Sequence, residues 1–283
     1  MILFPNAKIN IGLNIVERRP DGYHNLESIF YPINIYDRME VEEDPDCPEP
    51  RCSMTLDGIG IEGRLEDNLV VRAYNLLEEQ MPLPAVKVQL RKLIPMGAGL
   101  GGGSSDAAFM LKALNELFSL HLPDERLETL AARLGADCAF FIKNQPVFAT
   151  GIGNIFHRDV PMPSLTGKHI VLVKPEDFVS TREAYAQITP ARPKYDLVSS
   201  AQLPLFMWHD TIVNDFEASV FPKHPTIRII KEKLYAMGAV YASMSGSGSS
   251  VFGIFDTPVT NLDTQFPGMF TIAIPLATSN PKD

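Results

Sequence analysis

The stretch Pro95-Met96-Gly97-Ala98-Gly99-Leu100-Gly101-Gly102-Gly103-Ser104-Ser105-Asp106-Ala107-Ala108 constrains this chain more than any other. Five glycines and two serines run directly into a segment whose apolar residues, Ala107, Met110, Leu111, Leu114, Leu117 and Phe118, recur at helical spacing. Glycine lets the backbone turn and lets a ligand approach where a Cβ would intrude. A helix start presents N–H groups without intrahelical partners and a partial positive charge. Loop and helix together make a cradle for phosphate, so the chain is expected to handle a nucleotide or a phosphorylated molecule.

Two better-known phosphate loops do not fit. The Walker loop needs a lysine before its Ser or Thr, and none precedes Ser104. Gly97, Gly99 and Gly102 formally satisfy Gly-x-Gly-x-x-Gly, but that loop follows a buried parallel strand. Here the preceding Val86–Lys92 alternates apolar and polar residues, as a strand with one wet face does. A flexible glycine linker is disfavoured by the strand and the periodic helix that frame the run.

Ala7, Ile9, Ile11, Leu13 and Ile15 alternate with Asn6, Lys8, Asn10 and Asn14, which predicts a half-buried strand. Asparagine is a poor strand residue, and three on one face beside Lys8 mark a working surface. Asp21-Gly22 predicts a turn, followed by Tyr23 and His24. Asp137 follows a helix end and leads the apolar run Cys138-Ala139-Phe140-Phe141-Ile142. There it is either a partly desolvated reactive carboxylate or a turn residue bonded to its own backbone, and the residues alone leave both open. Ser104 and Ser105 are phosphate donors or helix caps, Lys92 is a ligand contact or a wet-face lysine, and Thr181 lines a pocket or caps the helix it precedes. Ser245 to Ser250, alternating Ser and Gly between two strands, is longer than a hairpin turn needs and suits a loop packed against a ligand or another domain.

Further strands are expected at Ser28–Ile35, Met39–Glu43, Phe140–Ile142, Val147–Thr150, His169–Lys174, Val240–Met244, Val251–Phe255 and Thr271–Pro275. Helices are expected after an Asp67 or Asn68 cap, over Ser105–Phe118, Asp124–Leu134 and Thr181–Ile188, and over Pro225–Met237 with a stop at Gly238. Asp44–Pro50 and Pro190–Pro204 read as loops, with a break near Pro161–Ser164. Interleaved helices and amphipathic strands favour α+β layers over a doubly wound sheet.

With 45% apolar residues in 283, the chain can bury a sizeable core in one or two domains. A net charge of −9 argues against general nucleic-acid binding. No apolar run reaches bilayer length and the N-terminus lacks a basic leader, so no membrane partner and a cytoplasmic location are expected. Cys47, Cys52 and Cys138 show no paired metal-ligand spacing and are read as reduced thiols.

The loop from Pro95 to Ser105 resembles the ATP loop of the GHMP kinases, a superfamily that includes galactose, homoserine, mevalonate and phosphomevalonate kinases. Asn6–Leu13 resembles its first motif and Ser243–Gly253 its third, in the right order along the whole chain. Ala7-Lys8-Ile9-Asn10, Asp21-Gly22-Tyr23-His24 and Leu134-Gly135-Ala136-Asp137 most resemble the members that act on a cytidine diphosphate alcohol. The departure is Cys138-Ala139, where Val-Pro is common.

The resemblance implies a two-domain α+β fold divided at 1–160 and 161–283. The N-terminal domain would be like the second domain of ribosomal protein S5 and the C-terminal one ferredoxin-like, with the active site between them. It implies a small-molecule substrate and ATP with Mg²⁺ held on residues Pro95, Met96, Gly97, Ala98, Gly99, Leu100, Gly101, Gly102, Gly103, Ser104 and Ser105. Asp137 would accept the acceptor-hydroxyl proton, with Lys8 beside it. Asn10, Tyr23, His24, Lys92 and Thr181 would contact the acceptor. No carboxylate cage for Mg²⁺ is legible, and its ligands stay unassigned. Oligomeric state stays open between monomer and homodimer. Other acceptors (mevalonate, homoserine, a sugar) and a non-catalytic sensor on the same fold are the alternatives. Retention of Lys8 and Asp137 argues against the sensor.

Overall fold

The phase of each alternating segment decides what its strand buries. In the computed structural model, which describes residues 1–46, 51–59 and 64–276, the strand Val86–Lys92 buries Val86, Val88 and Leu90 and exposes Lys87, Gln89 and Arg91. Lys92 continues the buried phase and is 1% exposed. This corrects the wet-face reading of Lys92: its parity is that of the valines.

The chain forms two compact units: Met1–Ala7, Ile35–Met96 and Gly101–Gln145 make one, and Lys8–Asn34, Gly97–Leu100 and the chain from Pro146 onward make the other. They interleave along the sequence rather than following a single cut after residue 160.

The first unit contains a four-stranded sheet in the order Ile2–Leu3, Arg38–Glu43, Val86–Lys92, Cys52–Gly58. The first three strands pair antiparallel, and Cys52–Gly58 runs parallel to Val86–Lys92. A parallel pair needs a crossover, and here it carries the helix Leu69–Glu78. Asn68 caps that helix by accepting the Val70 N–H at 2.9 Å. The helices Gly102–Leu117 and Asp124–Leu134 pack with it, and Phe140–Lys143 packs on both of those. Asn6 and Asn144 exchange side-chain hydrogen bonds at 3.2 and 2.6 Å.

The second unit holds two four-stranded sheets. One runs Asn6–Arg18, His24–Tyr36, Val147–Thr150, Ile155–His157. The other, fully antiparallel, runs Tyr241–Met244, Val251–Phe255, His169–Lys174, Phe270–Pro275. The helix Pro225–Ala236 covers the latter, burying Ile227, Ile230 and Leu234 against Val171, Val173 and Val251. Pro at its first position and Gly238 (φ +97°) just beyond its end bound it as expected.

Several expectations are corrected. Asn6–Arg18 is not half wet: Asn6, Lys8, Asn10 and Asn14 are all buried, at 4, 3, 2 and 4% exposed. Phe140–Ile142 lies in a short helix rather than a strand, closed where the Asn144 N–H donates to the Phe140 carbonyl at 2.9 Å. The span from Pro190 to Pro204 contains the helix Leu197–Ala201, capped by Asp196 on the Ser199 N–H at 2.7 Å. The strand Cys52–Gly58 alternates Cys52, Met54 and Leu56 with Ser53, Thr55 and Asp57 and was readable, whereas Ile155–His157 and the short helices Trp208–Thr211, Phe216–Val220 and Leu262–Gln265 carry too little periodicity to be read. Cys47 and the end of the Asp44–Pro50 loop lie outside the described residues.

Candidate active site

In the second unit the buried Lys8 and Asn10 of the strand Asn6–Arg18 are linked to one another and to Ser28. Lys8 Nζ donates to Asn10 Oδ1 at 2.6 Å and lies 5.0 Å from the centre of the Phe30 ring. Asn10 Nδ2 donates to Ser28 Oγ at 2.9 Å, and Ser28 donates on to the Gly12 carbonyl at 2.6 Å. This chain fixes the ammonium where burial would otherwise penalise it. Backbone geometry ties the same strand to the glycine loop, because the Lys8 N–H donates to the Leu100 carbonyl at 2.9 Å.

The loop uses its glycines. Gly97, Gly99 and Gly101 have φ of +58, +75 and +72°, the left-handed region that side chains disfavour. At Gly99 a Cβ would sit 1.9 Å from the Ser245 carbonyl oxygen, so no other residue fits. Ser245 Oγ donates to the Gly99 carbonyl at 2.9 Å, and the Ser250 N–H donates to the Ala98 carbonyl at 3.2 Å. The Ser245–Ser250 loop therefore grips Ala98 and Gly99. Asn214 buttresses it, donating to the carbonyls of Met244 and Gly246 at 2.8 and 2.9 Å.

Tyr23 and His24 leave a turn pinned by Asp21, which accepts the Tyr23 N–H at 3.1 Å. Tyr23 is 61% exposed. The His24 ring stacks on Tyr185 at 4.7 Å and 19°. Tyr185 escaped the sequence reading, although it lies four residues after Thr181 on one short helix. Thr181 is exposed and does not cap that helix; Ser180 does, accepting the Glu183 N–H at 3.1 Å.

In the first unit, the helix that ends the glycine run begins at Gly102, with left-handed Gly101 ahead of it. Ser104 and Ser105 thus lie inside the first turn and neither caps it. The first intrahelical bond is Ser105 N–H to Gly101 O at 2.8 Å, so the N–H groups of Gly102, Gly103 and Ser104 come before it. Ser105 Oγ is buried with no partner among the described residues.

Asp137 is half-buried in the turn that leads into Phe140–Lys143. Cys138 follows it, buried, and its thiol is hydrogen-bonded to the Ser104 side chain. Burial pushes that thiol up to about 11, so it is a neutral tether and not a thiolate. The tether joins the Asp137 turn to the first turn of the cradle helix.

Lys92 Nζ makes ion pairs to Asp37 and, at 2.6 Å, to Asp106, all three side chains being buried. Asp37 is fully engaged: its other oxygen accepts the Leu93 and Ile94 N–H groups at 2.6 and 2.9 Å. Asp106 Oδ1 is buried without a partner among the described residues. Burial raises the Asp106 pKa, and the Asp37 charge adds to the rise, although Lys92 opposes both. Burial works against the Lys92 ammonium, but its two carboxylates outweigh it and hold its pKa above the ordinary value. Lys92, Asp106, Met96 and Gly103 line a cavity of about 230 Å³ with Asn68 and Leu65. Asp37 and Asp106 were missed by sequence reading. Asp106 follows Ser105 directly in the helix start, which is the signal that could have found it.

Comparison with known proteins bears on what this geometry serves. The family model "GHMP kinases N terminal domain" matches residues 68–151, and "GHMP kinases C terminal" matches residues 200–261. A relative from Bacteroides thetaiotaomicron, 4-diphosphocytidyl-2-C-methyl-D-erythritol kinase, is 55% identical over 94% of this chain and 96% of its own. A crystal structure of 4-(cytidine 5'-diphospho)-2C-methyl-D-erythritol kinase is similar with a TM-score of 0.78 at 30% identity, covering 98% of this chain and 100% of the other. Methanococcus jannaschii mevalonate kinase shares the fold at 13% identity, with a TM-score of 0.68 over 98% of each chain.

Proposed function

The chain belongs to the GHMP kinases, and we propose that it transfers the γ-phosphoryl group of ATP to the 2-hydroxyl of 4-diphosphocytidyl-2-C-methyl-D-erythritol, giving the 2-phosphate and ADP. That reaction belongs to the methylerythritol phosphate route to isoprenoids. The acceptor rests on the near full-length relatives of that name. The observation that carries phosphoryl transfer is the glycine cradle, with left-handed Gly97, Gly99 and Gly101 leading into open N–H groups at Gly102 to Ser104.

Phosphoryl transfer asks a protein for positioning and charge stabilisation more than for covalent chemistry. The cradle N–H groups hold the phosphates. Mg²⁺ bound with the nucleotide would supply positive charge against that developing on the transferring phosphoryl group. Among the described residues no cluster of three His, Cys, Asp or Glu side chains is arranged to hold a metal, and phosphate oxygens supply most of its ligands. Ser105 Oγ, buried and unpartnered, is a fitting neighbour for a phosphate oxygen or a metal-bound water. Asp137 accepts the hydroxyl proton, and Lys8 supplies positive charge to the nucleophilic oxygen. Asn10, fixed by Ser28, and Thr181 orient the polyol. Tyr23, His24 and Tyr185 offer aromatic faces for the cytosine. The cavity lined by Lys92, Asp106 and Asn68 adjoins Met96 and Gly103 of the cradle and suits the base of ATP better than the acceptor.

The test is ADP release by the purified chain with this alcohol, using Asp137→Asn as control. Turnover that requires the alcohol and drops by about 10²–10⁴-fold in the variant is expected. Turnover only with mevalonate, homoserine or a sugar would reassign the acceptor. ATP binding with no turnover on any of them would overturn the kinase reading.

A further inference from the structure

The polar face of Asn6–Arg18 carries one residue that the proposed reaction does not use. Asn14 is 4% exposed, and among the described residues its side-chain amide has no hydrogen-bond partner. Its amide is not among the side-chain groups sealed from solvent without a partner, so it opens to the space beside it. Asn14 lines a cavity of about 500 Å³, a size that accommodates small molecules.

Gly12 separates this cavity from Asn10 on the same strand face. A Cβ on Gly12 would lie 2.6 Å from Leu197 Cδ1 and 2.9 Å from Ile212 Cγ2. Both buried side chains therefore rest on the Gly12 backbone. Asp215 also lines the cavity. Its Oδ2 accepts the Ile15 N–H at 2.7 Å, while Oδ1 has no partner among the described residues. Arg192 and Lys194 line the exposed side, and neither is ion-paired with a carboxylate among the described residues. Lys194 Nζ sits 4.9 Å from the centre of the Tyr195 ring. Asp210, the remaining acid of the lining, is already hydrogen-bonded to His209 at 2.9 Å.

We propose that this cavity is a second ligand site, built for a small polyol phosphate. Hydroxyls satisfy the Asn14 amide, which gives and accepts, and the Asp215 Oδ1, which only accepts. Two cations without carboxylate partners match the nearly doubly negative phosphate monoester. A neutral polyol leaves both cations unmatched, and inorganic phosphate leaves Asn14 unfilled. The site is independent of the proposed kinase reaction.

Calorimetric titration of the full chain with D-erythritol 4-phosphate tests it, with and without a saturating non-hydrolysable ATP analogue. One saturable site is expected, its affinity unaffected by the analogue. Erythritol and inorganic phosphate should each bind at least about tenfold more weakly. Arg192→Ala/Lys194→Ala, a change confined to exposed side chains, should weaken binding at least about tenfold while ATP turnover persists, and Asn14→Leu should abolish binding. No saturable heat up to about 10 mM overturns the proposal. So does binding that survives the arginine–lysine double substitution, or binding that the ATP analogue displaces. Because the double variant lies outside the kinase machinery, loss of its polyol phosphate binding and failure of the kinase reading are separate results.

Discussion

Two buried ammonium groups in this molecule sit in different surroundings. Lys8 meets the carboxamide of Asn10 at 2.6 Å and the Phe30 ring at 5.0 Å. Lys92 meets two carboxylates, Asp37 and Asp106. Around Lys92 the two carboxylates both accept hydrogen bonds and neutralise the ammonium. The Lys92 cluster goes further and carries one more acid than base, so one of its carboxyl groups must keep a proton or remain an uncompensated buried charge. The first, on the strand bonded to the glycine loop, suits a cation that works on the transferring phosphate. The second suits a cation that holds structure together, while its spare carboxyl faces a cavity.

Neutralising each lysine with methionine should separate the two. Lys8→Met is expected to lower turnover by about 10²–10³-fold, the usual loss when one stabiliser of developing charge is removed, with a smaller loss in the urea midpoint than Lys92→Met gives. Lys92→Met is expected to do the reverse. It strands Asp37 and Asp106 without their base, and loss of one partner from a buried pair costs about 3–5 kcal/mol, read in chemical denaturation. If both variants lose stability alike, the contrast between a working and a structural ammonium is wrong.

Ser28 probes how the Lys8 side is held. Its hydroxyl accepts from Asn10 and donates to the Gly12 carbonyl, at 2.9 and 2.6 Å. Ser28→Ala leaves both buried groups unpaired, which should cost about 1–3 kcal/mol. It should also raise KM for the acceptor more than it lowers kcat, if Asn10 orients the polyol. An unchanged KM with lowered stability would leave Asn10 a purely structural residue.

The contrast was only half legible in the sequence. The glycine run, the Asp124–Leu134 helix and the alternation around Lys8 stand out because period and composition agree over many residues. Lys92 was readable by parity, two residues beyond Leu90 in the buried phase, but a charged residue draws the eye to the wet face. Asp37 could not be found at all, since nothing local tells a carboxylate between two strands that it will meet residue 92. The same holds for Tyr185 against His24 and for Ser245 against Gly99: each contact joins segments more than a hundred residues apart. Phe140–Ile142 was misread because three consecutive buried apolar residues fit a buried strand and a short helix equally well.

The smallest effect is the most discriminating, because its sign is fixed by the extra acid. Asp106 has a pKa raised by burial and by the Asp37 charge, so the folded chain keeps that proton to higher pH than the unfolded chain does. Where the native state binds more protons, stability falls as pH rises. The contribution is complete below the ordinary carboxylate range and is lost as pH climbs through the raised folded value. Asp106→Asn cannot titrate and leaves Lys92 paired one to one with Asp37. Its stability should match wild type in acid, show a flatter pH slope, and exceed wild type at pH 8 by about 1–2 kcal/mol, measured by urea unfolding across the range. Parallel curves would mean that Asp106 ionises over the same pH range in the folded and unfolded chains, and that the cluster around Lys92 tolerates two charged carboxylates.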